Sequence, residues 1–292
     1  MSTLLALLQN RPDDRRAWEA AMDTLVRENR FTIAVVFPVV GAVLLLASAE
    51  GLLPDPLAFN PMLVLTGVLV MRSPLVVGVS PVVDRTALLG VVGLAGYAYA
   101  IELVGIHTGV PYGEFYYGVD LGPMLGGVPL ALPVFFLPLV LNAYLLCLLL
   151  LGERAERTLT RLLAVIALVL AMDVVLDPGA VALGFWRYPG GGAFYSVPLS
   201  NYAGWVLSAT VAVATIDYTF DREALRARLD ACVFALDDMV SFVVLWGAIN
   251  VFYGNWVPAL VAAGIGVGLL RTERFDASLV PWVRGREESV QR

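Results

Sequence analysis

The sequence predicts an all-α integral membrane protein: one bundle of about eight transmembrane helices, with both termini on the cytoplasmic side. Three observations predict it. Mean hydropathy is +0.79 and 59% of the 292 residues are hydrophobic, well above a soluble domain. The apolar residues gather in runs long enough to cross a bilayer, and lipid admits only helices or closed barrels there. The 19 basic residues are all arginine. Eighteen of them fall in alternate segments, 1–30, 72–85, 152–161, 217–230 and 271–292, and only Arg187 falls in the segments between. That asymmetry is the positive-inside pattern for eight spans, and miscounting by one span would scramble it.

The elements follow in order. Residues 1–30 mix arginines with acids and are expected to form an interfacial or cytoplasmic segment, with no cleavable leader. The first span is expected at 31–49. The second runs from about 57 and closes near Arg72, which leaves the apolar stretch 74–83 as an interfacial piece. The third is placed at 86–105, the fourth at 128–151, the fifth at 159–176 and the sixth at 197–216. The last two are placed at 236–252 and 256–270. Asp237 and Asp238 stand at the mouth of the seventh, as helix-start residues on the cytoplasmic side. The chain thus divides into an N-terminal segment 1–30, a transmembrane domain 31–270 and a C-terminal tail 271–292.

Composition excludes several classes. The chain has no lysine, so a retinal Schiff base is impossible. His107 is the sole histidine, which rules out a His-based metal cluster, and no metal site is expected. Cys147 and Cys232 both lie in apolar runs and read as small hydrophobes rather than a disulfide or metal pair. Net charge is −6, and no nucleic-acid partner is expected. An acidic, lysine-free chain rich in Ala and Val suggests a high-salt source.

The chemistry concentrates between residues 172 and 205. Asp173 lies near the end of the fifth span and Asp177 at its expected exit, before Pro178-Gly179. Four residues apart, the two carboxylates share a helical face. An acid inside an apolar span is costly and turns to a protein interior or a water-filled cavity. Two outer loops stand apart, 107–127 and 178–196, both long, aromatic and glycine-rich. Each follows a helix bearing an acid, Glu102 or Asp173, and each leads into Val-Pro-Leu at an expected helix start. The repeated order suggests a degenerate internal repeat of two facing helix hairpins. Such a repeat brings Glu102, Asp173, Asp177 and Asn201 to one cavity near the outer face.

The segments ELVGIHTGVPYGEFYYGVDLG, GGVPLALP, MDVVLDPGAVALGFWRY and FYSVPLSNYAGW, in this order, resemble the CruF-type carotenoid hydratases. These form a membrane family of carotenoid biosynthesis proteins, and the likeness spans roughly residues 97–216. The resemblance implies a multi-pass protein of the cell membrane that adds water to terminal C=C bonds of an acyclic carotenoid. In halophilic archaea the reaction is that of bisanhydrobacterioruberin going to bacterioruberin. The partners it implies are the carotenoid, the lipid bilayer and other enzymes of the carotenoid pathway. It carries no residue roles.

Hydrating a trisubstituted alkene needs no metal or redox cofactor, and none is expected. A proton goes to the less substituted carbon, a tertiary cation forms, and water adds. A carboxylic acid desolvated among apolar side chains keeps its proton and can donate it, and paired acids divide into an acid and a base. Asp173, one turn deeper than Asp177, is expected to be the donor, with Asp177 its partner nearer water and Glu102 or Asn201 orienting the water. Tyr99, His107, Tyr112, Trp186, Tyr188, Tyr195, Asn201, Tyr202 and Trp205 are the expected substrate-binding set, with aromatic faces available to a cation. Plainer readings stand beside these. Asp177 also reads as a helix terminator, Asp173 as a partner of Arg187 or Asn201, and Glu102 as a partner of His107 or a tyrosine. His107 and Asn142 read as an interfacial hydrogen-bonder and as glue between helices. Three other functions stay open: a membrane prenyltransferase using Asp173-x-x-x-Asp177, a proton-coupled transporter, and a non-catalytic carotenoid-binding protein. The prenyltransferase needs basic residues for a diphosphate, and only Arg187 lies on that side.

Overall fold

The computed structural model describes residues 15–272. Most of the tail expected at 271–292, and residues 1–14 of the N-terminal segment, lie outside the described residues. The described chain is mainly helical. α1 (Arg15–Glu28) precedes six helices long and apolar enough to cross a membrane: α2 (Thr32–Ala49), α3 (Pro61–Val79), α4 (Arg85–Thr108), α5 (Leu132–Leu151), α6 (Thr158–Leu183) and α7 (Leu199–Thr219). The short α8 (Arg222–Ala231) follows, then α9 (Asp237–Phe252) and α10 (Trp256–Leu270). The last two have 16 and 15 residues. At ~1.5 Å per residue they fall short of a hydrocarbon core of ~30 Å.

α4 packs on α5 and α7, and α6 packs on the same two, so the four close a ring. α9 is the centre of the other half and touches α2, α3, α6 and α10. Buried leucines, valines and alanines from both halves form one continuous core.

Two helix ends differ from the sequence expectation. α3 runs without a break through Arg72 and Pro74 to Val79, so residues 74–79 are helix and not an interfacial piece. Arg72 stays inside the bundle because Asp238 receives its Nη1 at 2.6 Å. α6 continues through Asp177, Pro178 and Gly179 to Leu183 and is closed by Gly184 at φ 79°. Pro178 removes a helical donor, and two side chains brace that turn. Asn250 donates to the Val175 carbonyl at 2.8 Å and Asn255 to the Pro178 carbonyl at 3.3 Å. Gly179 lets the Trp246 ring pack on the same turn, since a Cβ there would lie 3.1 Å from it. Asp177 is therefore not a helix exit.

The two aromatic loops meet. β1 (Tyr116–Tyr117) lies in the first, β4 (Trp186–Arg187) in the second, and they pair antiparallel, with Tyr116 opposite Arg187 and Tyr117 opposite Trp186. Gly118 extends the junction by donating to the Phe185 carbonyl at 2.9 Å. Only glycine fits there, because a Cβ would sit 2.3 Å from the Gly184 carbonyl oxygen. The first Val-Pro-Leu does not start a helix. Its Val128-Pro129 is β3, paired with β2 (Met124–Leu125), and α5 begins at Leu132. The second leads straight into α7 at Leu199.

The half of the bundle away from the loops holds ion pairs. Arg30 grips both oxygens of Asp237, at 2.7 and 2.8 Å. Asp238 takes Arg72 and the Asn142 amide. Asp217 takes Arg161 and the Tyr144 hydroxyl. Asp237 and Asp238 do open α9, and both are buried.

Candidate active site

A cleft with about 1020 Å³ of empty space, its open mouth included, lies beneath the joined loops, at the end of the ring that they roof. Its wall is mainly apolar and aromatic. α4 contributes Ala98, Ile101 and Glu102, α6 contributes Leu176 and Asp177, and α7 contributes Asn201 and Trp205. α5 supplies the stripe Leu132, Phe135, Phe136 and Leu139. Val64 of α3 and Trp246 of α9 complete the wall, and Tyr112, Phe115, Tyr117, Phe185, Trp186 and Tyr188 come from the loops.

The polar groups are few and converge. Asn201 donates its amide to Asp177, and the same nitrogen stands 3.4 Å from Asp173 Oδ2. Asp177 faces the cavity. Asp173, one turn along α6, is wholly buried behind it and not in the wall. Its second oxygen has no hydrogen-bond partner among the described residues. Both acids are buried in one continuous helix, at 0% and 3% exposure, and Asp173 is the one set back from the cavity. From α4, the diagonal helix of the ring, Glu102 accepts the Tyr117 hydroxyl at 2.5 Å. Burial, then the negative charge of Glu102, hold the Tyr117 phenol well above its ordinary range, so it stays a neutral donor. Burial likewise raises the Tyr188 phenol, with Asp177, Asp173 and Glu102 all adding to it.

Aromatic packing sets the wall. Trp205 stacks on Phe136, centroids 5.8 Å apart, and tilts against Tyr112 at 6.4 Å. Tyr112 is held by Ser208 at 2.6 Å, and Gly204 makes room for its ring, since a Cβ there would come within 2.5 Å. Phe185 meets Trp246 edge-on at 6.4 Å.

The structure thus brings together Glu102, Asp177, Tyr112, Trp186, Tyr188, Asn201 and Trp205, with Asp173 behind them. Four expected residues lie elsewhere. The Tyr99 hydroxyl donates to the carbonyls of Leu125 and Val128 and ties down the β2–β3 turn. His107 is exposed, its Nδ1 2.9 Å from the Leu103 carbonyl; five residues past Glu102, it points to another face of α4. The Tyr195 hydroxyl accepts from the Val257 amide of α10 at 3.3 Å. Tyr202 packs edge-on against Phe194 at 5.9 Å, and its buried hydroxyl has no partner among the described residues. Sequence reasoning missed Tyr117, which sits in a quoted motif but gains its role only through loop pairing. It also missed Val64 and Trp246, which no local pattern distinguishes from core. Among the described residues no arginine stands in the cavity wall, so none there would meet a diphosphate.

Fold and site define a helical membrane protein with an acid-bearing apolar chamber. Residues 59–269 match the family described as Carotenoid biosynthesis protein, and the chain belongs to that family. It is 63% identical over 276 residues, 94% of each chain, to the bisanhydrobacterioruberin hydratase of Haloarcula japonica. The family expected from the motifs is thereby shown, and the chain is an enzyme of the hydratase class. No solved structure matches it.

Proposed function

We propose that the protein adds water to terminal C=C bonds of an acyclic carotenoid, of the bisanhydrobacterioruberin-to-bacterioruberin type, by acid protonation without a cofactor. The observation that carries this reading is the placement of Asp177 and Glu102 on diagonal helices of one apolar chamber. Asp177 faces the substrate space and delivers the proton to the less substituted carbon. Asp173 stands behind as its electrostatic partner, and Asn201 holds Asp177 in place. Trp186, Tyr188 and Trp205 present aromatic faces to the tertiary cation, each worth about 0.5–2 kcal/mol. Water adds to the cation and gives its proton to Glu102, which Tyr117 orients. The cycle closes when that proton returns to the aspartate pair through water. Co-expression with a carotenoid pathway tests the reading: pigment mass rises by one water for each hydrated end. Pigment of unchanged mass beside well-folded protein would refute it.

We further propose eight spans, α9 and α10 being the two shorter ones, with both termini cytoplasmic and the aromatic loops outside the cell membrane. The transmembrane unit is then 31–270, flanked by cytoplasmic segments. The arginine asymmetry supports this. Gly190→Cys is the suitable probe, because no described residue lies within 4 Å of a Cβ there. A membrane-impermeant thiol reagent should label it from outside in intact cells. Labelling only after permeabilisation would reverse the topology.

A further inference from the structure

The reaction chamber has a counterpart at the arginine-rich end. A small cleft there is lined by Leu149 of α5, Asp237 and Val240 of α9, Leu229, Cys232 and Thr272. Both cavities lie along α5 and α9, at opposite ends of the pair. Between them stands a polar crossing. Asn142 of α5 donates to Asp238 of α9 at 2.6 Å, and Arg72 of α3 donates to the other oxygen of Asp238 at 2.6 Å. Asn142 and Asp238 are both 0% exposed.

Helical spacing puts this crossing under the chamber floor. Asn142 is three residues past Leu139 and seven before Leu149 on α5, so one face carries all three. Arg72 is eight residues past Val64 on α3, and Asp238 eight before Trp246 on α9, again on shared faces. Leu139, Val64 and Trp246 all line the chamber. Two atoms of the crossing, Arg72 Nε and Asn142 Oδ1, are buried with no partner among the described residues. One is a donor and the other an acceptor. Buried polar atoms are almost always satisfied, and a water accepting from the first and donating to the second satisfies both.

We infer that Arg72, Asp238 and Asn142 form an internal water site, the relay that brings water from the arginine-rich face to the chamber. The inference rests on the hydratase reading, in which water is a substrate and the chamber wall is otherwise largely apolar. Two Asn142 variants separate the relay from a merely structural role. Both lose the hydrogen bond to Asp238, but Asn142→Leu fills the site with apolar bulk, whereas Asn142→Ser leaves a hydroxyl and room for water. Per folded, pigment-bound protein, Asn142→Leu should hydrate about tenfold more slowly or worse, and Asn142→Ser close to wild type. Equal rates per folded protein for the two variants would overturn the relay. Wild-type activity, measured in parallel, separates failure of the relay from failure of the hydratase reading.

Discussion

Asp177→Asn lowers carotenoid hydration by about 10²–10⁴-fold, the usual cost of removing a general acid, while the protein still folds and binds pigment. The substitution is nearly isosteric. The Asn201 amide, which donates to Asp177, keeps an oxygen to donate to, so the local packing survives. What is lost is the transferable proton at the chamber wall. Asp173→Asn should be milder, because Asp173 does not line the chamber and acts through its neighbour. Product analysis of the two variants in membranes, normalised to bound pigment, checks the order. An Asp173→Asn protein that is dead beside an active Asp177→Asn would return the donor role to the deeper residue.

The largest loss of stability is expected for Arg161→Met. Arg161 is 1% exposed and joins three helices of the ring. Its guanidinium bonds both oxygens of Asp217 on α7, at 2.5 and 2.9 Å, and reaches the Ala155 carbonyl. Asp217 also takes the Tyr144 hydroxyl of α5 at 2.6 Å. Removing one partner of a buried pair strands the other charge and costs about 3–5 kcal/mol. The lower end, about 3 kcal/mol, applies because the Asp217 side chain keeps 14% exposure. Arg226→Met is the contrast: its partner Glu156 is 54% exposed, and such surface pairs contribute roughly 0–1 kcal/mol. Thermal inactivation of the two variants in detergent measures the difference. Equal stability would mean that the Arg161 pair contributes no more than a surface one.

The membrane class was legible because a span is a property of consecutive residues, and the long apolar runs at 31–49 and 128–151 need no partner to be seen. Helix ends were less legible where a distant side chain decides them. Arg72 reads as the end of a span until Asp238, 166 residues away, is known to receive it. Pro178-Gly179 reads as a helix stop, and only Asn250, Asn255 and Trp246 show why the helix passes through. The acids of the site were legible because a carboxylate in an apolar run is costly wherever it occurs. Their neighbours were not. Tyr117 reaches Glu102 because two loops pair across the roof, and nothing in either loop alone announces that register. His107 shares a segment with site residues yet faces elsewhere, since motif membership does not determine the face of a helix.

Acid-catalysed addition of water is tested most directly with isotopes. Protein in membranes, given the unhydrated carotenoid in water labelled with both ¹⁸O and deuterium, should form product with ¹⁸O in the new hydroxyl and deuterium on the adjacent carbon. The Asp177→Asn protein should lose both labels together. A new hydroxyl that carries no ¹⁸O from water would contradict hydration outright.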